Sequence, residues 1–122
     1  MYKYLLVSLG AAIGGSFRYW ISSAVYKFLP TVFPFGTLAA NILGSFILGL
    51  LIFYFDDREL LNQSVKLMLT VGFCGGFTTF STFSFETINL LRESQFLFAG
   101  LNVLLNVILS LLGVFAAYII SK

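Results

Sequence analysis

The chain has 122 residues, of which 59% are hydrophobic, 18% aromatic and only 10% charged. A soluble domain usually carries about 25% charged residues, so the composition predicts an integral membrane protein. The chain has no histidine and one cysteine, Cys74, which excludes disulfide frameworks, His-Cys zinc sites and His-based catalysis within one chain. The net charge is +2 and the basic residues are scattered, so there is no sign of nucleic-acid binding.

Four apolar segments are long enough to cross a bilayer, which takes about 20 mostly apolar residues. They run approximately over Tyr4–Phe28, Phe35–Phe55, Val65–Leu91 and Phe96–Ile120. The connections are short, so each helix is expected to neighbour the next, in one all-α transmembrane domain over residues 1–122. The first apolar run is too long for the apolar region of a cleavable signal peptide, and we expect the whole chain to be mature.

The basic residues indicate the orientation of the chain only weakly. With four crossings both termini share one side, and four basic residues would lie there against two on the other side: Lys3, Arg58, Lys66 and Lys122 against Lys27 and Arg92. Positive-inside bias sets orientation when it is strong. A single orientation with the termini inside and insertion in both directions therefore both remain open.

The first span contains one strong charge, Arg18. Its long side chain could reach an interface, form a structural pair, or place a positive charge in a vestibule that attracts anions. Vestibule or structural pairing is favoured over direct lining of a pore. Gly10 and Gly14 of the same span have the spacing of a helix-packing motif.

The second and fourth spans each carry a polar track at helical spacing. Thr37, Asn41 and Ser45 follow one face of the second span, and Asn102, Asn106 and Ser110 follow one face of the fourth. Such residues either hydrogen-bond between helices or line a wet path, and a buried amide needs partners for its donor and acceptor ends. The NH2 group of Asn41 could serve a passing anion.

The third span is interrupted by glycine and hydroxyl residues, at Gly72, Gly75, Gly76, Thr78 and Thr79. Each glycine disfavours a helix by up to about 1 kcal/mol relative to alanine. The pattern predicts a break between residues 72 and 79, which would free backbone groups for an ion. The alternative is a kink whose free groups are satisfied by the nearby hydroxyls.

Two aromatic residues follow the predicted break. Phe80 and Phe83 are three residues apart and share a helix face. Phenylalanine in a membrane helix usually packs or contacts lipid. Because a phenyl ring has a positive edge, rings turned edge-on could instead line a path for a small anion.

Residues 75–87 (GGFTTFSTFSFET), residues 35–45 (FGTLAANILGS) and residues 14–18 (GGSFR) together resemble the Fluc fluoride channels, also called CrcB proteins. The resemblance covers essentially the whole chain and its third-span motif is long and unusual. It implies a passive fluoride channel of the bacterial plasma membrane, built as an antiparallel, dual-topology homodimer with two pores along the interface.

The resemblance also assigns roles to individual residues. It implies that fluoride passes Phe80 and Phe83, with Arg18 near the vestibule. The backbone carbonyls of Gly75 and Thr78 would hold a central structural sodium ion on the two-fold axis. The remaining residues expected along the fluoride path are polar: Asn41, Thr37, Thr82, Asn106 and Ser110.

Two other functions are weighed against the channel. A small proton-coupled exporter would need a membrane-embedded carboxylate, for which Glu86 is the one candidate. An assembly subunit without transport would not need a broken, hydroxyl-rich span. An enzyme is not expected, since no nucleophile, base or metal constellation is present and Cys74 lacks a histidine partner.

Overall fold

The structure, a computed structural model, describes residues 1–122. It is all helical, as the apolar segments predict. The helices are α1 (Tyr2–Val25), α2 (Phe35–Gly49, continuing as a π-helix over Leu50–Asp56), α3 (residues 63–77, with a π-helix over Met68–Cys74), α4 (Phe80–Arg92) and α5 (Phe96–Ser121). Helices α3 and α4 are the two halves of the predicted third span.

Three helical segments are long and apolar enough to cross a membrane: Phe35–Asp56, Gln63–Arg92 and Phe96–Ser121. Helix α1 is not among these three, because Arg18 and several small polar residues lower its hydropathy. Its 24 residues would nevertheless extend about 36 Å at 1.5 Å per residue, against a hydrocarbon core of about 30 Å. The chain is a multi-pass membrane protein, and a crossing by α1 stays a prediction.

Helices α1 and α3 pack backbone to backbone through glycines. A methyl group added at Gly76 would lie 2.6 Å from the Ala11 carbonyl oxygen, and one at Gly72 would lie 2.9 Å from that of Val7. A methyl group at Gly14 would overlap the Phe73 carbonyl oxygen. Close approach of this kind requires small residues on both helices.

The glycines therefore have a different role from the one predicted. Gly72, Gly75 and Gly76 were expected to break the third span, but all three have helical backbone and no glycine has a positive φ. The break lies at Thr78 and Thr79, inside the predicted range. Packing against α1 offsets the low helix propensity of Gly72 and Gly76.

Helices α2 and α5 form the second tightly packed pair. A methyl group at Gly49 would lie 2.6 Å from the Ala117 Cβ, so the two helices also approach closely. Only 18 of the 122 residues are buried. Large apolar side chains therefore cover the outside of the helices, where lipid or another chain would contact them.

Both chain ends lie at one end of the helices. Arg58, in the connection between α2 and α3, donates a 2.8 Å hydrogen bond to the Ser121 carbonyl. At the same end Lys66 pairs with Asp56 at 2.8 Å, and Lys3 lines a pocket with Gln63. This placement agrees with an even number of crossings.

Candidate functional site

The break between α3 and α4 consists of two residues in extended conformation. Thr78 has φ −84° and ψ 159°, and Thr79 has φ −151° and ψ 122°. The Thr79 hydroxyl accepts a 3.1 Å hydrogen bond from the Thr82 backbone N–H and so caps the start of α4. Threonine suits this position because its side-chain oxygen replaces a missing helical acceptor.

Asn41 of α2 holds the broken backbone from the side. Its Oδ1 accepts from the Thr79 N–H at 2.8 Å, and its Nδ2 donates to the Thr79 carbonyl at 3.2 Å. A second N–H of the same amide donates to Asn106 Oδ1 at 2.8 Å. Both N–H groups of Asn41 are thus engaged with the protein, whereas the sequence suggested that the NH2 group could serve a passing anion.

The backbone carbonyls of Gly75 and Thr78 are among those that lose their helical donors at the break. In an unbroken α-helix Gly75 would accept from Thr79 and Thr78 would accept from Thr82. The Thr79 N–H donates to Asn41 instead, and the Thr82 N–H donates to the Thr79 hydroxyl. Gly75 and Thr78 are the residues whose carbonyls were predicted to hold a cation.

Arg18 of α1 satisfies another carbonyl next to the break. Its Nε donates to the Gly76 oxygen at 3.1 Å. The structure records no ion pair between Arg18 and Glu86; the one salt bridge is that between Lys66 and Asp56. Arg18 therefore makes a structural contact to α3, and a role for its charge near a vestibule stays a prediction.

A groove of about 390 Å³ runs beside the break. Most of the predicted site residues line it: Asn41, Gly75, Thr78, Phe80, Phe83, Asn106 and Ser110. The groove therefore brings together side chains from α2, α4 and α5 with the end of α3.

Phe80 and Phe83 contact each other edge to face. Their ring centroids are 5.4 Å apart with an angle of 78° between the planes. Phe80 is 68% exposed on the side of the groove. The edge of a phenyl ring is electropositive and its face is electronegative, which is why the two rings pack edge to face.

Thr37, Thr82 and Arg18 do not line the groove. The Thr37 side chain is 5% exposed and lies beside the Glu86 carboxyl group, one turn of α2 away from Asn41. Thr82 contacts the site through its backbone N–H. These three predicted site residues thus neighbour the groove without forming its wall.

Ser45 and Thr70 line the groove and were not predicted as site residues. Helical spacing contains the signal for both. Ser45 lies one turn after Asn41, and Thr70, Cys74 and Thr78 recur every four residues on one face of α3.

The two asparagines of α5 are buried inside the chain and hydrogen-bonded there, which is one of the two alternatives for the polar tracks. Asn102 is 0% exposed and Asn106 is 5% exposed. Asn106 Nδ2 donates to the carbonyl and to Oδ1 of Asn102, both at 2.9 Å, and Asn102 Nδ2 donates to the Thr87 hydroxyl oxygen at 2.9 Å. Asn106 reaches the groove, whereas Asn102 lies behind it.

Comparison with known proteins identifies the family. The profile of the family described as "CrcB-like protein, Camphor Resistance (CrcB)" matches residues 5–118. The chain belongs to the CrcB family. Its broken third span and the Asn41 side chain that holds the break are therefore features of a CrcB protein.

Several named relatives are similar over nearly their full length. The chain is 45% identical over 116 residues to a fluoride-specific ion channel of Magnetococcus marinus, which covers 95% of this chain and 94% of the relative. It is 42% identical over 118 residues to one of Geobacter sulfurreducens, with 97% and 95% covered. A relative in Dehalococcoides mccartyi, with the same name, is 44% identical over 115 residues, with 94% and 88% covered. These relatives are channels and not enzymes, and the chain is not an enzyme.

Proposed function

We propose that this chain is a fluoride-selective channel through which fluoride leaves the cytoplasm passively. The observation that carries the proposal is the groove at the helix break, where two phenylalanine rings meet polar groups of three other helices. Fluoride is small and strongly hydrated, so a pore has to replace its water with donors and positive dipole edges and still release it. The names of the relatives support the choice of ion.

Two serine hydroxyls are available as donors in the groove. Those of Ser45 and Ser110 line it and make no hydrogen bond to the protein, whereas those of Thr70 and Thr78 donate to carbonyls one turn earlier. A fluoride ion beside Asn41 would compete with the Asn106 oxygen for one Asn41 N–H. An exchange of acceptors of this kind binds the ion weakly enough for it to move on.

The proposed channel is an antiparallel homodimer with two pores and a sodium ion on its two-fold axis. Gly75 supports this arrangement, since a methyl group there would meet nothing within 4 Å in its own chain. The freed carbonyls of Gly75 and Thr78 from both copies would be the sodium ligands, and carbonyl oxygens suit a hard cation. Bound by these carbonyls, a sodium ion would offset the negative ends of their dipoles.

Dual topology requires that the chain insert in both directions. We propose four crossings, with α1 as the first, in the bacterial plasma membrane. The weak bias of the basic residues, four against two, allows insertion in both orientations.

Flux measurements on purified protein in liposomes test the channel. Fluoride is expected to leave loaded vesicles down its own gradient, without ATP or a counter-ion gradient, while chloride is retained. Removal of sodium from both sides is expected to reduce the flux or the dimer content. Equal efflux of fluoride and chloride would contradict the proposal.

A proton-coupled exporter is the second candidate, and one observation favours it. Glu86 Oε1 is buried and has no hydrogen-bond partner, so it could bind a proton. If this function were correct, Glu86→Gln would abolish transport and flux in the wild type would follow the proton gradient. A channel predicts fluoride flux that continues when the proton gradient is collapsed.

A further inference from the structure

A continuous line of hydrogen bonds connects the break to the interior of the helix bundle. We call it the amide chain, and its members in order are the Thr79 backbone, Asn41, Asn106, Asn102, Thr87 and the Phe83 carbonyl. Its donor–acceptor distances are 2.8–2.9 Å apart from the 3.2 Å contact of Asn41 with the Thr79 carbonyl. The line passes through α2, α5 and α4.

Backbone groups fix the direction of the amide chain at both ends. The Thr79 N–H can only donate, so Asn41 has to present its oxygen to it and its NH2 to Asn106. At the other end the Thr87 hydroxyl donates its one hydrogen to the Phe83 carbonyl at 2.8 Å. Its oxygen can then only accept, so Asn102 has to present NH2 to it.

The two constraints agree along the whole chain. Asn102 turns its oxygen toward Asn106, Asn106 presents NH2 to it, and the Asn106 oxygen is left to face Asn41. Asn106 is oriented by both the side-chain oxygen and the backbone carbonyl of Asn102, which accept from its NH2 group. Aligned hydrogen bonds of this kind strengthen one another at low local dielectric.

We propose that Asn102 and Thr87 are positioning residues for the ion pathway. They do not line the groove, and they act through Asn106 and Asn41 on the Thr79 backbone. Asn106 Nδ2 also donates to the Asn102 backbone carbonyl, and that bond would remain. Removing either side chain would therefore weaken the hold on the Asn106 amide, whose oxygen fixes the second N–H of Asn41. The inference rests on the proposed fluoride channel, because its effect is measured as fluoride flux.

Substitutions at Thr87 give the sharpest test. Thr87→Val keeps the shape of the side chain and removes the oxygen that accepts from Asn102, whereas Thr87→Ser keeps the oxygen. Ser84→Ala is the matched control, since Ser84 also lies on α4 and donates to a carbonyl one turn earlier, that of Phe80 at 2.9 Å, but is no part of the amide chain. Fluoride flux per assembled protein is measured in liposomes.

Thr87→Val is expected to lower fluoride flux at least about fivefold, the effect of leaving one buried donor unsatisfied. Thr87→Ser and Ser84→Ala should remain close to wild type. In an Asn41→Ser background, Thr87→Val should add little, because its effect passes through Asn41. Asn102→Ser is the second variant, since it shortens the side chain and breaks its hydrogen bonds with Thr87 and Asn106. Its flux tests the inference if Thr87→Val does not assemble.

Wild-type flux in Thr87→Val and Asn102→Ser would overturn the inference and leave the proposed function intact. An undiminished effect of Thr87→Val in the Asn41→Ser background would also overturn it, because Thr87 would then act independently of Asn41. A wild-type protein that passes no fluoride would overturn the proposed function, and the inference with it.

Discussion

Asn41 and Thr79 form a two-point hydrogen bond across the break in the third span. The side-chain oxygen accepts from the Thr79 N–H, and the side-chain nitrogen donates to the Thr79 carbonyl. The amide satisfies two backbone groups that would otherwise lie unpaired within the helix bundle, much as a neighbouring β-strand would. The extended backbone at Thr79 therefore depends on a residue of another helix.

Replacement of Asn41 is expected to affect both stability and flux. Asn41→Leu removes three hydrogen bonds and should destabilise the protein by about 1–3 kcal/mol, since partly buried backbone groups of Thr79 are left unpaired. Fluoride flux should fall by about tenfold or more, because the backbone at the break is no longer held in place. A tenfold loss of flux corresponds to a barrier higher by about 1.4 kcal/mol. Both are measurable, by thermal unfolding in detergent and by flux from liposomes.

Leu43→Ala is the control for Asn41→Leu, since Leu43 lies on the same helix and is 42% exposed. It should leave flux near the wild-type value. If Asn41→Leu conducts as well as Leu43→Ala, the hydrogen bonds to Thr79 are not needed for conduction.

The phenylalanine pair at the groove is expected to be required for flux. Phe80→Ile and Phe83→Ile keep apolar volume but remove the ring edges, so each should lower fluoride flux by about tenfold or more while the protein still assembles. Phe85→Ile is the matched control, because Phe85 lies on the same helix, is 65% exposed and does not line the groove. Equal flux in all three variants would show that the rings of Phe80 and Phe83 are not needed in the fluoride pathway.

The sequence predicted much of this site but not how it is held together. Spacing alone placed Asn41, Ser45 and Thr37 on one face of α2 and marked a break within residues 72–79. It could not show that Asn41 binds the Thr79 backbone, because that contact joins residues 38 positions apart. It assigned the break to glycines because helix propensity ignores tertiary packing, and packing of Gly72 and Gly76 on α1 keeps them helical.

The two asparagines of α5 illustrate the same limit. Their spacing revealed a polar track, but a track that lines water and one that hydrogen-bonds inside the protein have the same period. Asn102 is fully buried because Thr87 supplies an acceptor from α4. Which residue faces Asn102 depends on how α4 packs on α5, and a single sequence does not contain that information.

Glycine packing between α1 and α3 leads to a prediction about stability. Gly14→Ala is expected to lower stability by about 1–3 kcal/mol, because the added methyl overlaps the Phe73 backbone and the helices have to separate. Gly15→Ala is the control from the adjacent position, where a methyl meets nothing within 4 Å, and should be neutral or stabilising by up to about 1 kcal/mol. Thermal unfolding in detergent compares the two, and equal midpoints would contradict the close packing.

Arg18 is expected to act through its hydrogen bond and not through its charge alone. The bond runs from Nε to the Gly76 carbonyl, and lysine has no donor at that place on its side chain. Arg18→Lys should therefore lower flux about as much as Arg18→Gln. If Arg18→Lys conducts normally and Arg18→Gln does not, a positive charge at the vestibule is sufficient, and the contact with Gly76 is incidental.

Gly75 provides a test of the proposed dimer. Within one chain a methyl group at Gly75 would meet nothing within 4 Å, and the same holds at Gly100 of α5. If Gly75 lies at the two-fold axis, Gly75→Ala brings two methyl groups, one from each copy, toward the proposed sodium site. Overpacking of this kind costs about 1.4 kcal/mol and should weaken dimerisation by about tenfold. Gly100→Ala should leave dimerisation unchanged. Energy transfer between labelled copies in lipid vesicles measures the dimer fraction. Equal fractions for the two variants would show that the two-fold axis does not lie at the break.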